Sequence, residues 1–191
     1  MSKKTIKSVC VFCGSRLGKN IKYQHATRKL GQLIGQKDLC LIYGGGNIGL
    51  MGLLASEAHS NNCNIAGVIP NHLMKNEVGK TDLKNLVVTK NMHERKKMMY
   101  DNSDAFIVLP GGVGTLDEFF ETLTWAQLGL HNKPIILLNI DNFWTPLINL
   151  LNHQIRLGFM DKNINNLFIS AKTPFKAIDY LLASNRQLSP E

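Results

Sequence analysis

The stretch "DAFIVLPGGVGTLDEFFETLTW", residues 104–125, has the pattern of a strand followed by a turn and a helix, and this pattern predicts the fold. A continuous apolar run ends in Pro-Gly-Gly, and a segment with helical spacing follows almost at once. Continuous apolar runs are typical of parallel strands that are covered on both faces. The stretch therefore predicts a buried strand, a tight glycine turn and a helix that leads back across the sheet.

The same alternation of strand-like and helix-like segments runs along the whole chain. Strands are predicted at 8–15, 39–46, 64–70, 85–90, 104–112 and 134–140. Helices are predicted at 20–36, 49–61, 91–102, 115–130, 143–157 and 174–184. This order predicts an α/β fold of the Rossmann-like, doubly wound type, with a mostly parallel sheet and helices on both faces. The length of 191 residues favours one domain over residues 1–191.

Composition and charge limit the classes of function. No apolar run approaches the roughly 18 residues that a membrane span needs. The charged start, "MSKKTIKSVCVFCGSR", has an apolar core only as long as a strand, so we expect no signal peptide and a cytoplasmic protein. The net charge of +8 favours anionic ligands. The lysines are scattered and do not alternate with aromatic residues, so a nucleic-acid partner is not expected.

The cysteines indicate buried thiols rather than a metal site. Cys10, Cys13, Cys40 and Cys63 lie in or beside strand-like runs. Cys10 and Cys13 have CxxC spacing, but no second pair and no matching histidine pair accompanies them. No metal site is predicted, and free thiols in a reducing compartment are the preferred interpretation.

Three loops rich in small residues follow predicted strands: "CGSR" (13–16), "GGGNIGLMG" (44–52) and "PGGVGT" (110–115). Ligands of open parallel sheets bind at the carboxyl ends of the strands, where these loops meet. Glycine allows close approach of the backbone, and a helix N-terminus attracts anions. Each loop alone is equally consistent with a tight turn, but together they predict a crevice that binds phosphate.

Two familiar nucleotide motifs do not fit. Gly44-x-Gly46-x-x-Gly49 resembles the dinucleotide fingerprint, yet the next strand ends in Pro70 and supplies no acidic residue for a ribose. The segment "GSRLGKN" is one residue short of a P-loop, and Asn20 replaces the required serine or threonine. Neither an NAD-dependent dehydrogenase nor a P-loop NTPase is predicted.

The acidic residues after the third loop have two interpretations. In the first, Thr115 caps the helix and Glu118 reaches back to it as a capping box, so the acids complement the helix dipole. In the second, helical spacing divides the segment into two faces. The face predicted to pack on the sheet has Leu116, Phe119, Phe120 and Leu123. The other face has Glu118, Glu121, Thr122 and Trp125, which would place two carboxylates along the crevice.

A cation is available on the preceding helix. In "NMHERKKMMY" (91–100), Met92, Arg95, Lys96 and Met99 share one face. An arginine–carboxylate pair at the crevice is one interpretation, and a solvated amphipathic helix is the other.

The segments "NMHERKKMM" (91–99) and "SDAFIVLPGGVGTLDEFFETLTWAQLG" (103–129) together resemble the signature pair of the LOG (Lonely guy) family. Members are cytokinin riboside 5′-monophosphate phosphoribohydrolases, long labelled lysine decarboxylases. The motif Pro-Gly-Gly-x-Gly-Thr-x-x-Glu is complete from Pro110 to Glu118, and the resemblance extends from residue 8 to about 180.

The resemblance implies hydrolysis of the N-glycosidic bond of an adenosine-type 5′-monophosphate, to free base and ribose 5-phosphate. It implies Arg95 and Glu118 as the catalytic pair, with Glu118 stabilising the oxocarbenium-like state or activating water. Val113 takes a place often held by tyrosine in plant members. The substrate-binding candidates are Ser15, Gly45, Gly46, Glu77, Met92, Lys96, Gly111, Gly112, Val113, Gly114, Thr115, Glu121 and Thr124.

Further expectations concern cofactors, partners and rival functions. No metal or organic cofactor is expected, and nothing singles out a lysine for the pyridoxal phosphate of a decarboxylase. The family resemblance implies a homodimer, with helices 91–102 and 115–130 at the interface. The alternative function is a carrier that binds a nucleotide or a nucleotide-containing cofactor without cleaving it.

Overall fold

A computed structural model of the chain describes residues 5–74 and 85–183. The strands are β1 (Ser8–Phe12), β2 (Cys40–Tyr43), β3 (Ile65–Pro70), β4 (Asn85–Thr89), β5 (Ala105–Val108), β6 (Ile135–Leu138) and β7 (Ile169–Ala171). The helices are α1 (Ile21–Gln36), α2 (Gly49–Ser60), α3 (Met92–Asp101), α4 (Val113–Gln127), α5 (Thr145–Arg156) and α6 (Pro174–Ala183). Short 3₁₀ helices lie at Asn71–Leu73, Ile140–Asn142 and Lys162–Asn166.

The seven strands form one parallel sheet in the order β4-β3-β2-β1-β5-β6-β7. β1 lies near the centre, where Val9 pairs with Leu41 of β2 on one side and with Ala105 of β5 on the other. The chain leaves β1 towards β2 and leaves β5 towards β6, so successive connections diverge between these two strands. Ligands of doubly wound sheets bind at such a point, outside the carboxyl ends of the strands.

The sheet separates two apolar cores. Alternate residues of β1 supply both, because successive side chains of a strand point to opposite faces: Val9 and Val11 belong to one core, and Cys10 and Phe12 to the other. Side chains of α1, α2 and α6 complete the first core, and those of α3, α4 and α5 complete the second. Phe12 stacks on Phe106 of β5 with ring centroids 5.8 Å apart.

The predicted fold class is confirmed, as are six strands and six helices. β7 was not predicted because it has only three residues, of which Ile169 and Ser170 are exposed, so no buried apolar run marks it. Every cysteine is a free thiol, and burial raises the pKa of Cys10 well above its usual value and that of Cys63 to about 11. Within the described residues, no helix is long and apolar enough to cross a membrane, and no three potential metal ligands cluster.

Candidate active site

A cavity of about 600 Å³ opens at the carboxyl ends of β1 and β5. The loop after β1 lines it with residues 13–18, and the connection from β5 into α4 lines it with residues 110–115. Arg95 of α3 and Glu118 of α4 also reach its wall. The divergence of the chain between β1 and β5 therefore coincides with a space large enough for a small ligand.

The three glycine-rich loops pack against each other at this edge. The Gly14 amide donates a hydrogen bond to the Pro110 carbonyl at 3.1 Å, and the Leu50 amide donates to the Gly14 carbonyl at 3.1 Å. Gly49 adopts a φ of +60°, and a β-carbon there would overlap the backbone of Ser15. This close contact requires glycine, and it fixes the loop after β1 beside the start of α2.

Helix α4 begins at Val113, with Gly112 as its N-cap and no side chain capping it. The capping box predicted for Thr115 and Glu118 is therefore wrong, because the helix starts two residues earlier than expected. Thr115 lies inside the first turn and is buried. Because Gly111 has no side chain, the hydroxyl of Thr115 fits against it. Residues 111–115 line the cavity, so the helix presents the amide groups of its first turn to any bound anion.

Arg95 and Glu118 form a buried ion pair at the cavity wall. Nη1 of Arg95 lies 2.6 Å from Oε1 of Glu118, and the two side chains are 8% and 7% exposed. Nε of Arg95 also donates to the Val68 carbonyl at 3.1 Å, which orients the guanidinium plane. The pair connects α3 and α4 and holds a carboxylate just beyond the glycine turn.

Gly44, the first glycine of "GGGNIG", leaves the space for this guanidinium. A β-carbon at Gly44 would overlap Nη2 of Arg95 and would lie 2.9 Å from Sδ of Met51. Gly45, with φ of +74°, packs instead against Ile69 of β3. Gly44 and Gly49, two of the three glycines that resemble a dinucleotide fingerprint, therefore serve contacts within the protein.

Lys96 joins the same two helices beside the buried pair. Its Nζ lies 3.0 Å from Oδ2 of Asp117 and 3.0 Å from Oε1 of Glu121, and its side chain is 11% exposed. Burial disfavours the charged ammonium, but the hydrogen bonds that the ammonium donates to Glu121 and Asp117 together raise the pKa of Lys96. Arg95 and Lys96, neighbours on α3, thus both pair with carboxylates of α4.

The buried face of α4 differs from the predicted one. Its buried residues are Thr115, Glu118, Phe119, Thr122 and Leu123, whereas Leu116 and Phe120 are only half-buried. Glu118 faces inward because Arg95 neutralises its charge there. Thr122 faces inward because its hydroxyl donates to the Glu118 carbonyl at 2.8 Å. Of the two carboxylates predicted along the crevice, Glu118 lines the cavity and Glu121 does not.

Comparison with known proteins agrees with this geometry. Residues 51–181 match the family described as "Possible lysine decarboxylase". The chain is 43% identical over 166 residues to the probable cytokinin riboside 5′-monophosphate phosphoribohydrolase LOG4 of Oryza sativa subsp. japonica, covering 87% of this chain and 72% of that one. This chain belongs to the LOG family. It is also 43% identical over 173 residues to cytokinin riboside 5′-monophosphate phosphoribohydrolase LOG4 of Arabidopsis thaliana, covering 91% and 80% of the two chains.

Solved structures share the fold of this LOG-family chain at lower sequence identity. The Moco carrier protein of Chlamydomonas reinhardtii superposes with a TM-score of 0.71 at 17% identity, over 97% of this chain and 100% of that one. The molybdenum cofactor binding protein of Rippkaea orientalis gives a TM-score of 0.66 at 24% identity, over 95% and 97%. At these identities the likeness shows the fold alone.

The structure brings many of the residues predicted from the LOG resemblance to the cavity and leaves others outside its lining. The lining includes Ser15, Met92, Arg95, Gly111, Gly112, Val113, Gly114, Thr115 and Glu118. The residues outside it are Gly45, Gly46, Lys96, Glu121 and Thr124. Glu77 lies outside the described residues.

Sequence reasoning missed the apolar wall of the LOG-family cavity. This wall consists of Tyr23, Leu50, Met51, Leu73, Met92 and Phe143, of which only Met92 was predicted. Tyr23 of α1 and Phe143 meet edge to face with ring centroids 5.4 Å apart. These residues come from five separate segments, and no local pattern in the sequence connects them.

Proposed function

We propose that this protein hydrolyses the N-glycosidic bond of adenine-type nucleoside 5′-monophosphates, cytokinin riboside monophosphates among them, to free base and ribose 5-phosphate. The observation that supports it best is the buried Arg95–Glu118 pair, 2.6 Å apart, beside the glycine turn at the start of α4. The family relationship supports the same activity, since curated relatives are named as enzymes of this reaction.

The cavity offers a separate place for each part of such a substrate. The first-turn amides of α4 suit a phosphate, because they are unpaired donors at the positive end of a helix. The apolar wall with Tyr23 and Phe143 suits a purine base and an apolar substituent on it. Glu118 also lines the cavity, and we place the sugar beside it.

The proposed reaction breaks the bond between C1′ and the base nitrogen. Positive charge develops on the sugar ring in the transition state, and a nearby carboxylate stabilises it. We assign this role to Glu118, which also accepts a proton from the attacking water. The water oxygen bonds to C1′ while the bonding electrons leave with the base nitrogen. The proton that Glu118 took from water then passes to the departing base, which returns Glu118 to its carboxylate form. Arg95 holds the carboxylate in place and keeps it charged.

A panel of nucleoside 5′-monophosphates tests the proposal. Purified protein is incubated with AMP and with isopentenyladenosine monophosphate, and released base and ribose 5-phosphate are measured by chromatography. We expect release of both products in equal amounts. Tight binding of every nucleotide without release of base would reject the hydrolase and favour the carrier.

We propose further that the protein is a homodimer with α3 and α4 at the interface. Apolar side chains are exposed near both ends of α4, Val113 at 83% and Leu128 at 67%. Light scattering at low protein concentration should give the mass of two chains. The mass of a single chain would contradict the dimer without affecting the hydrolase proposal.

A further inference from the structure

The charges of the side chains that line the cavity do not sum to zero. In the described part of the chain, the charged ones are Arg16, Arg95 and Glu118. Arg95 and Glu118 neutralise each other at 2.6 Å. Arg16 is exposed, and its side chain forms no hydrogen bond or ion pair with another described residue. The cavity therefore has one surplus positive charge, and Arg16 provides it.

The backbone at Arg16 is held beside the start of α4. Two residues earlier, the Gly14 amide binds the Pro110 carbonyl, and a β-carbon at Gly14 would lie 3.2 Å from the Cα of Gly111. On the other side, a β-carbon at Gly49 would overlap the Ser15 carbonyl carbon and the Arg16 amide nitrogen. Glycines on both sides thus hold the arginine close to the turn at residues 111–115.

An arginine next to a helix N-terminus suits a phosphate dianion. The helix supplies amide donors but only a partial charge, whereas a guanidinium supplies a full charge and a fork of donors that matches phosphate oxygens. We infer that Arg16 binds the 5′-phosphate and makes the enzyme select nucleoside monophosphates over unphosphorylated nucleosides. This inference rests on the proposed function, whose catalytic pair does not include Arg16.

An exposed arginine that is simply solvated is the competing interpretation, and it predicts different behaviour. A solvated surface arginine acts on phosphorylated ligands only through its screened charge, so removing it changes their affinity as weakly as removing another exposed charge of the same loop would. An arginine that binds phosphate gives a larger loss of affinity for phosphorylated ligands, and a lysine in its place recovers part of that loss. The change in the ratio of affinities for AMP and adenosine, compared between the two kinds of variant, therefore separates the two interpretations.

The test compares Arg16→Gln with Lys19→Gln, which removes the same charge from an exposed residue of the same loop that does not line the cavity. Dissociation constants for AMP, ribose 5-phosphate and adenosine are measured by calorimetry, and kcat and KM by release of base. We expect Arg16→Gln to raise the dissociation constants of AMP and ribose 5-phosphate by roughly tenfold to a hundredfold, the range for hydrogen bonds to charged groups. Adenosine affinity should stay near the wild-type value, and the loss of activity should appear mainly as a raised KM for AMP.

Two controls complete the test. Arg16→Lys should recover part of the AMP affinity because it keeps the charge, and Lys19→Gln should resemble the wild type. Unchanged AMP affinity in Arg16→Gln, or equal loss of AMP and adenosine, would overturn the inference. If the wild type binds AMP but releases no base, the hydrolase proposal fails, while the AMP-to-adenosine ratio still decides the role of Arg16. A wild type that binds no AMP would overturn both.

Discussion

The guanidinium of Arg95 and the carboxylate of Glu118 form an ion pair of 2.6 Å in which neither side chain is more than a tenth exposed. Such a pair is costly to bury, and each partner depends on the other once it is there. Arg95 is further fixed by the Val68 carbonyl and by the space at Gly44. The geometry therefore holds a charged carboxylate at the cavity wall.

Glu118→Gln should abolish turnover while leaving AMP affinity nearly intact, because it keeps the shape and removes the charge. We expect kcat to fall by roughly 10²- to 10⁴-fold, the usual contribution of a general acid or base. Release of base gives kcat, and calorimetry gives the affinity. Asp101→Asn, an exposed carboxylate paired with Lys97, controls for general loss of charge. A Glu118→Gln enzyme with wild-type kcat would move the catalytic role to another residue.

Gly44→Ala should lower kcat without unfolding the protein. The new β-carbon would overlap Nη2 of Arg95, so the guanidinium must move away from Glu118. If Gly44→Ala lowers kcat by displacing Arg95, it should lower kcat hardly any further in a protein that already has Arg95→Met. Additive losses of kcat in the double variant would show that Gly44 acts independently of Arg95. Urea unfolding of each variant checks that the fold is retained.

Lys96→Met distinguishes a structural clamp from a nucleotide contact. Since Nζ of Lys96 bridges Asp117 and Glu121, we expect the free energy of unfolding to fall by about 1 kcal/mol. Activity should fall modestly, and Glu121→Gln should produce a similar, smaller change in both quantities. A raised KM for AMP with unchanged unfolding would instead place Lys96 in direct contact with the nucleotide.

His131 should make stability depend on pH. Its Nε2 lies 2.9 Å from the Thr122 carbonyl and its Nδ1 accepts the Lys133 amide at 3.0 Å, so the neutral ring satisfies both contacts. Burial lowers the pKa of His131, and the Lys133 ammonium lowers it further, although the Thr122 carbonyl opposes this. The unfolded chain therefore takes up a proton first, and stability should fall as pH drops below about 6.5.

Urea unfolding between pH 5 and 7.5 measures this dependence. His131→Gln should flatten the slope, which for one proton is at most about 1.4 kcal/mol per pH unit. His25→Gln removes an exposed histidine of α1 and should leave the slope as it is in the wild type. An unchanged slope in His131→Gln would mean that other groups control acid stability.

Local pattern was sufficient for most of the fold. Continuous apolar runs marked β1, β2, β3, β5 and β6 because both faces of these strands are covered, and helical spacing marked the six helices. The edge strand β4 was marked by its apolar run although most of its residues are exposed. The glycine loops were recognised because three of them follow strands whose carboxyl ends meet at one edge of the sheet, although each alone is consistent with a tight turn. β7 escaped recognition because it is short and two of its three residues are exposed.

The sequence by itself determined the fold class and the three glycine loops. Its resemblance to the LOG family also singled out Arg95 and Glu118 as a pair. Only the tertiary structure decided that Gly44 makes room for Arg95, that Lys96 binds Glu121, and that Tyr23 and Phe143 form one wall. The physical reason is range: propensity and periodicity act over a few neighbouring residues, whereas these contacts join segments that are brought together by packing across the sheet edge.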